Sequence, residues 1–251
     1  HRPAAGPAVL AAGLMNYPTI IHEQNVFPGI TNRLLSYSVD KIALNFEEAS
    51  SYFSSRVKGK ITVTGNPVRE KIMTTDRSEG AEKLNLSPEK ETLLVFGGSQ
   101  GSKTINKAMI TVCRAFQEND SRQLIYITGK DKYESIINKL EKKGIKINNN
   151  PNMVITDYLH NMEWAYAAAD LIVYRAGASG LSEITARGIP AVLIPYPYAA
   201  GNHQEYNAQN VSRHGAAVII KDSELNGEVL YNKIDELFSD KEKLKKMNEN
   251  S

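Results

Sequence analysis

The chain has 251 residues, of which 41% are hydrophobic and 23% charged, with a formal net charge of +2 and a single cysteine. This length suits one large or two modest domains with a sizeable core. So weak a basic balance gives no argument for nucleic-acid binding. One cysteine excludes a disulfide framework, and no segment approaches the ~20 apolar residues of a membrane span. Cys113 lies among Met109, Val112 and Phe116 at helical spacing, which predicts a buried, inert thiol.

Short β-rich runs alternate with helical runs along the chain. Strands are predicted at residues 19–21, 41–44, 61–64, 92–96, 124–128, 153–156, 171–174, 191–194 and 217–220. Helices are predicted at residues 103–117, 133–143, 162–169, 181–187, 204–214 and 227–238. This alternation indicates an α/β protein with parallel sheets and right-handed crossovers.

A domain boundary is predicted in residues 74–90, because the run 74–80 is polar and aperiodic, as in a linker. Residues 91–251 hold six predicted strands, enough for a complete doubly wound domain. Residues 1–73 hold three, too few for a covered parallel sheet. We therefore expect the first domain to be incomplete, so that the sequence begins inside it.

A glycine-rich loop follows the strand at 92–96 and precedes a helix. It consists of Gly97, Gly98, Ser99, Gln100 and Gly101. Glycines let the backbone approach a ligand, and a helix N-terminus favours a phosphate. The spacing is neither that of a P-loop nor that of a dinucleotide-binding loop. A plain tight turn with Ser102 as helix cap explains the same residues.

Two further polar clusters follow predicted strands. After the strand at 171–174, small residues lead to Glu183, which is expected in the first turn of a helix, where its carboxylate could accept two ribose hydroxyls. A glutamate matching the helix dipole is the alternative. Residues 201–208 open another helix with amides, including Gln204, that suit sugar hydroxyls. A solvated helix start explains them equally.

The early part of the chain holds two more clusters. His22, Glu23, Gln24 and Asn25 follow the first strand, and a helix opens after residues 28–29. His22 could act as a general base, although a structural role is the favoured interpretation. Arg69 ends the run 65–69, near the expected cleft, and could meet a phosphate or lie on the surface. No spacing of histidines or carboxylates indicates a metal site.

The polar loops all follow strands, so they share one edge of their sheets. Two such sheets facing each other form a cleft. A glycine-rich helix start suits a diphosphate, a helix-start glutamate suits a ribose, and an amide cluster suits a sugar. Together they predict a nucleotide-sugar site.

These motifs, in this order and spacing from about Gly6 to Asp235, resemble those of the MurG family, bacterial transferases of glycosyltransferase family 28. The resemblance implies a GT-B fold of two Rossmann-like domains. It implies transfer of N-acetylglucosamine (GlcNAc) from UDP-GlcNAc to the sugar 4-hydroxyl of lipid I, which is undecaprenyl-pyrophosphoryl-N-acetylmuramoyl pentapeptide. The product, lipid II, is the peptidoglycan precursor. The reaction would invert the anomeric carbon without metal or cofactor. The protein would be peripheral, on the inner face of the cell membrane.

The resemblance also implies roles for residues. Glu183 would bind the ribose, Ser99 the diphosphate and Gln204 the GlcNAc hydroxyls. Asn25 would lie on the sugar side, Arg69 near the nucleotide, and the backbone of Leu159 at the uracil. The phosphate loop would use Gly97, Gly98, Gln100 and Gly101. The pocket would be lined by Ala178, Ser179, Gly180, Leu181 and Ser182.

The sequence departs from the family pattern at its start. The family's N-terminal glycine-rich loop, whose histidine is the favoured catalytic base, has no counterpart here, so no catalytic residue is assigned. We therefore expect this polypeptide alone to bind donor weakly and to catalyse poorly; lipid II synthesis by it would contradict that expectation. The alternatives are another UDP-GlcNAc-using GT-B enzyme, such as a 2-epimerase or another lipid glycosyltransferase, or a donor-binding fragment without activity.

Overall fold

A computed structural model describes residues 5–98, 100–147 and 150–251. Its strands are β1 (Ile20–Glu23), β2 (Lys41–Leu44), β3 (Ile61–Val63), β4 (Glu91–Phe96), β5 (Arg122–Ile127), β6 (Met153–Thr156), β7 (Leu171–Tyr174), β8 (Ala191–Leu193) and β9 (Ala217–Ile219). Its α-helices are α1 (Ala5–Leu14), α2 (Ile30–Leu35), α3 (Glu70–Thr74), α4 (Arg77–Lys83), α5 (Lys103–Gln117), α6 (Tyr133–Lys142), α7 (Met162–Ala168), α8 (Ala178–Ala186), α9 (His203–Arg213), α10 (Gly227–Ser239) and α11 (Lys241–Glu249). Every predicted strand and helix is found, with ends displaced by at most three residues.

The larger sheet has six parallel strands in the order β6-β5-β4-β7-β8-β9. Beyond their first two residues, β4 and β5 are apolar because helices cover both faces of the sheet. Along β4, Leu93 and Val95 pack in one core cluster with α5 and α10, whereas Leu94 and Phe96 pack in the other with α7 and α8. The two-residue period of a strand thus divides one apolar run between two layers.

Numbered within the second domain, this strand order is 3-2-1-4-5-6, the order of the Rossmann fold. From β4 the chain adds strands outward to β6, and from β7 it adds strands outward in the opposite direction to β9. The strand order therefore reverses between β4 and β7, which are adjacent. Loops leaving two such strands diverge to opposite faces and leave a crevice at their carboxyl ends. The fold therefore places the loops after Phe96 and after Tyr174 on either side of one crevice.

The smaller sheet contains three parallel strands in the order β1-β2-β3. Its core is small and centres on Ile42 and Leu44 of β2. On the outer strands, Ile20 and Val63 are exposed. The loops that leave β1, β2 and β3 nevertheless point toward the second sheet, because their polar side chains contact α8 and α9.

Within the predicted linker, residues 77–83 form α4. Asp76 caps this helix by accepting a hydrogen bond from the Glu79 N–H at 2.8 Å. Gly80 packs against α7 so closely that a Cβ atom there would lie 2.5 Å from the Trp164 carbonyl oxygen. Only Gly80 and Ala81 of this helix are buried. Two buried residues are too few to give the sequence a recognisable helical pattern of apolar positions.

Across residues 5–98, 100–147 and 150–251, the structure contains no helix that is both long enough and apolar enough to cross a membrane.

Cys113 lies on the buried face of α5, as predicted, within one of the two core clusters of the larger sheet. Burial raises the pKa of its thiol to about 12, so only about one thiol in ten thousand is ionised at pH 8.

Iodoacetamide at pH 8 should therefore leave Cys113 of the folded chain unmodified and should modify it in urea, as measured by mass spectrometry. Stoichiometric modification of a chain that retains its native circular dichroism would contradict this expectation.

Candidate functional site: a cleft at the strand-order reversal

The glycine-rich loop after β4 has two glycines with left-handed backbone, Gly98 (φ 85°) and Gly101 (φ 67°). A Cβ atom on Gly101 would collide with the Thr128 carbonyl oxygen, whereas one on Gly98 would meet nothing within 4 Å. Gly101 thus serves the packing of the loop, and Gly98 borders open space that a ligand can enter. Ser99, assigned to the diphosphate, lies outside the described residues.

Helix α5 begins directly after this loop, as predicted. Ser102 is its N-cap, and its Oγ accepts a hydrogen bond from the Ile105 N–H at 3.3 Å. The helix runs for 15 residues, so its N–H groups present a partial positive charge at the crevice.

Glu183 lies in the second turn of α8, not in the first turn as predicted. The helix begins at Ala178, after the N-cap residue Gly177, because the small residues that resemble a loop in the sequence are helical. Glu183 Oε2 accepts a hydrogen bond from the Tyr166 hydroxyl at 2.9 Å, and Oε1 lies 3.8 Å from Arg69 Nη2. The carboxylate is therefore held in place at one oxygen, while its side chain remains 23% exposed.

Glu183 lines a cavity of about 200 Å³. This cavity also brings together Gly98, Leu159 and Gly180, which the sequence assigned to one site; the remaining lining residues are Phe96, Ile127, Asp157, Tyr158, Met162, Tyr166 and Tyr174. It is smaller than the pockets that enclose a whole drug-sized ligand. Its mainly apolar wall suits a planar base, and the Glu183 carboxylate suits a hydroxylated sugar at the edge of that base.

Three aromatic rings form the floor of this cavity. The Phe96 and Tyr174 ring centroids lie 4.5 Å apart, and Tyr166 meets Phe96 edge to face at 6.0 Å. Burial, with a smaller contribution from the nearby Glu183 carboxylate, raises the pKa of the Tyr174 hydroxyl to about 12 and raises the pKa of the Tyr166 hydroxyl in the same direction. Both tyrosines therefore stay neutral, and Tyr166 remains a hydrogen-bond donor to Glu183.

Arg69 reaches this cavity from the segment that follows β3. Its guanidinium lies 3.7 Å from Glu163 Oε2 and 3.8 Å from Glu183 Oε1, and its side chain is 55% exposed. Burial acts to raise the pKa of Glu163, but hydrogen bonds from its own N–H and from Asn161, together with the charge of Arg69, lower it. Arg69 thus carries a positive charge beside the cavity, and its exposed face is free to meet an anion.

The loop after β7 depends on a buried network that the sequence did not reveal. Arg175 is buried and donates hydrogen bonds to Asp222, to Thr104 Oγ1 at 2.6 Å and to the Ile194 carbonyl at 3.3 Å. Thr104 in turn donates to Asp222 at 2.7 Å. These contacts fix the loop against the start of α5 and the end of β8. No sequence signal could pair Arg175 with Asp222, because each reads as a surface charge.

The loops of the smaller sheet meet α8 and α9 through neutral polar groups. Ser182 Oγ accepts from Asn66 Nδ2 at 2.9 Å and from Asn45 Nδ2 at 3.3 Å. The Val26 N–H donates to Asn207 Oδ1 at 3.0 Å. Beside them, Phe27 stacks on Tyr206 with ring centroids 5.1 Å apart. The structure therefore joins the two sheets across a cleft whose walls are the predicted loops.

The remaining site residues are distributed around that cleft. Gln204 Oε1 accepts from the Tyr196 N–H at 2.9 Å, and Asn25 hydrogen-bonds to Asn207; neither lines the cavity of Glu183. Leu181 is buried in the core. Ala178 and Ser179 form the first turn of α8. His22 Nε2 lies 3.2 Å from the Gly65 carbonyl oxygen, a contact that suits the structural interpretation.

Two family models match the chain. The glycosyltransferase family 28 C-terminal domain matches residues 92–251, and the glycosyltransferase family 28 N-terminal domain matches residues 3–44. The first match covers the whole six-stranded sheet and both loops at its crevice. The fold and the cleft thus define a glycosyltransferase of the GT-B type.

The chain is 54% identical over 247 residues to the UDP-N-acetylglucosamine–N-acetylmuramyl-(pentapeptide) pyrophosphoryl-undecaprenol N-acetylglucosamine transferase of Halothermothrix orenii, covering 98% of this chain and 67% of that protein. The crystal structure of Acinetobacter baumannii MurG superposes with a TM-score of 0.72 at 27% identity, covering 100% of this chain and 66% of the other. The chain therefore belongs to glycosyltransferase family 28, in its MurG family. It spans about two thirds of the length of these relatives.

The UDP-GlcNAc 2-epimerase of Neisseria meningitidis, solved with UDP-GlcNAc bound, superposes with a TM-score of 0.64 at 13% identity, over 97% of this chain and 67% of that one. This likeness shows a shared fold alone.

Gly180 is required by the packing of the cavity floor. A Cβ atom there would lie 2.6 Å from Cζ of Tyr174. We expect Gly180→Ala to lower the free energy of unfolding by about 1–2 kcal/mol, because overpacking outweighs the gain of alanine over glycine in a helix. Urea unfolding measures this, with Ser179→Ala at the neighbouring exposed position as the control. An unchanged or raised unfolding free energy for Gly180→Ala would contradict the steric argument.

Proposed function

We propose that the whole protein transfers GlcNAc from UDP-GlcNAc to the 4-hydroxyl of lipid I, giving lipid II for peptidoglycan synthesis, and that this chain supplies the donor site. The observation that carries the proposal is the position of Glu183. One of its carboxylate oxygens is anchored by Tyr166, and the side chain lines a base-sized cavity next to the glycine-rich loop. The name of the Halothermothrix orenii transferase describes the same donor sugar and acceptor.

The donor is assigned to the cleft in three parts. Uracil occupies the cavity beside Leu159, and the ribose hydroxyls donate to Glu183. The diphosphate lies at the loop of Gly97, Gly98, Ser99, Gln100 and Gly101, before the N-terminus of α5. Arg69 adds a positive charge on the nucleotide side. GlcNAc extends toward Gln204 and Asn25.

The reaction is a displacement at the anomeric carbon. The acceptor 4-hydroxyl oxygen forms a bond to C1 of GlcNAc while the bond from C1 to the UDP oxygen breaks, and UDP leaves with the electron pair. The backbone N–H groups and the dipole of α5 stabilise the negative charge that develops on UDP. The proton of the hydroxyl passes to a base that this chain leaves unassigned.

Because the acceptor is carried on a polyprenyl chain, the protein works at a membrane surface, and we place it peripherally on the inner face of the cell membrane.

The wall of the donor site also includes the backbone of α8, at Ala178, Ser179, Leu181 and Ser182.

Titration calorimetry with UDP and with 2′-deoxy-UDP tests the assignment of Glu183. The chain should bind UDP more tightly than 2′-deoxy-UDP, because a hydrogen bond to a charged acceptor is lost with the hydroxyl. Glu183→Ala should weaken UDP binding on the order of tenfold or more and erase the difference between the two ligands. Glu242→Ala, at an exposed position on α11, is the matched control. Equal affinities for the wild-type chain would refute the ribose assignment.

A product assay with the whole protein separates transferase from epimerase. With labelled UDP-GlcNAc and lipid I, a transferase moves the label into the lipid fraction and does nothing to the sugar without the acceptor. A 2-epimerase instead inverts C2 of the sugar in the absence of lipid I, giving either the epimeric UDP-sugar or, with consumption of water, UDP and the epimeric free sugar. The second result would replace the proposed transfer with epimerisation on the same fold.

A further inference from the structure

Asn207 of α9 is fully buried at the junction of the two sheets, with 0% of its surface exposed. Its Oδ1 accepts from the Val26 N–H at 3.0 Å. Its Nδ2 donates to Asn25 Oδ1 at 3.2 Å and to the Ala176 carbonyl at 3.3 Å. One amide therefore joins a loop of the smaller sheet to the loop after β7.

In the smaller sheet, Asn25 is held by a second buried group, the carboxylate of Glu23. Glu23 Oε1 accepts from the N–H and from Nδ2 of Asn25, at 3.0 and 3.1 Å. Its Oε2 accepts from the Gly29 N–H at 3.0 Å and from Asn32 Nδ2 at 2.8 Å. With Glu23 on Nδ2 and Asn207 on Oδ1, the side-chain amide of Asn25 is held at both ends.

In the larger sheet, Asn207 contacts a residue whose backbone conformation is energetically unfavourable. Ala176 has φ 63°, in the left-handed region that side chains other than glycine rarely adopt. It lies one residue before Gly177, the N-cap of the helix that carries Glu183. The buried network of Arg175 already fixes this turn, so the Ala176 carbonyl is a rigid acceptor that orients the amide of Asn207.

We propose that Asn207 is a positioning residue that sets the amide of Asn25 for the donor sugar. The inference rests on the proposed function, in which Asn25 lies on the sugar side and Glu183 on the ribose side. Asparagine suits the place because its amide supplies an acceptor and donors together. Aspartate would keep the acceptor for Val26 but would set an oxygen against the oxygens of Asn25 and Ala176.

Loss of Asn207 should therefore weaken binding of the sugar and spare binding of the nucleotide. We expect Asn207→Ala and Asn207→Asp to weaken UDP-GlcNAc binding about tenfold while UDP binding changes less than about twofold. Calorimetric titration of each ligand into this chain measures both. Asn210→Ala, a buried asparagine one turn along the same helix, is the matched control and should alter neither affinity.

Asn25→Ala tests the role of the same side-chain amide without disturbing α9. It should reproduce the selective loss for UDP-GlcNAc, and combining it with Asn207→Ala should add little, because both act through one amide. Thermal unfolding of every variant identifies any that are unfolded at the temperature of titration, and the conclusion is drawn from those that fold.

The outcomes separate the inference from the proposed function. Selective loss of UDP-GlcNAc binding supports the inference. Equal weakening of both ligands, unchanged binding of both, or equal affinity of the wild-type chain for UDP and UDP-GlcNAc overturns it and leaves the nucleotide site standing. Failure of the folded wild-type chain to bind UDP overturns the proposed function and the inference with it.

Discussion

The adjacency of β4 and β7 in the larger sheet is the constraint on which the rest of the structure depends. Because all six strands are parallel, every loop that follows a strand emerges at the same edge. Because the order reverses between these two strands, the loops after Phe96 and Tyr174 diverge there and leave room between them. The position of the glycines, the start of α5 and the helix of Glu183 all follow from that one reversal.

The contacts between the two sheets differ in kind from the contacts within them. The larger sheet is held by apolar side chains packed in two layers. Besides the ion pairs of Arg69, the junction uses amides, a hydroxyl and stacked rings, such as Asn207, Ser182 and Phe27. Neutral hydrogen bonds of this kind contribute little net free energy each, because water can replace either partner. Such a junction fixes the orientation of the loops in the cleft without requiring the rigidity of a core.

The sequence predicts the strands well because buried parallel strands are short, continuous apolar runs between turn residues, as in Leu93 to Phe96. It also predicts which loops gather, because the edge of a parallel sheet is set by chain direction. It does not reveal helices formed by small or polar residues. Helix α4 lies within the predicted linker, and the first turn of α8 resembles a loop, so the sequence predicts Glu183 in the first turn of a helix and the structure has it in the second. It cannot predict pairs such as Arg175 with Asp222 or Asn25 with Asn207, because these are joined by tertiary packing over long separations.

The burial of the single cysteine in the core has a practical consequence. A chain whose one thiol is buried on the core side of α5 is already a background for site-directed labelling, with no need to remove Cys113 and disturb the core. A cysteine introduced at an exposed position on each sheet would carry the two probes of a distance measurement. Spin labels or fluorophores attached in this way would report the width of the cleft directly, with and without nucleotide.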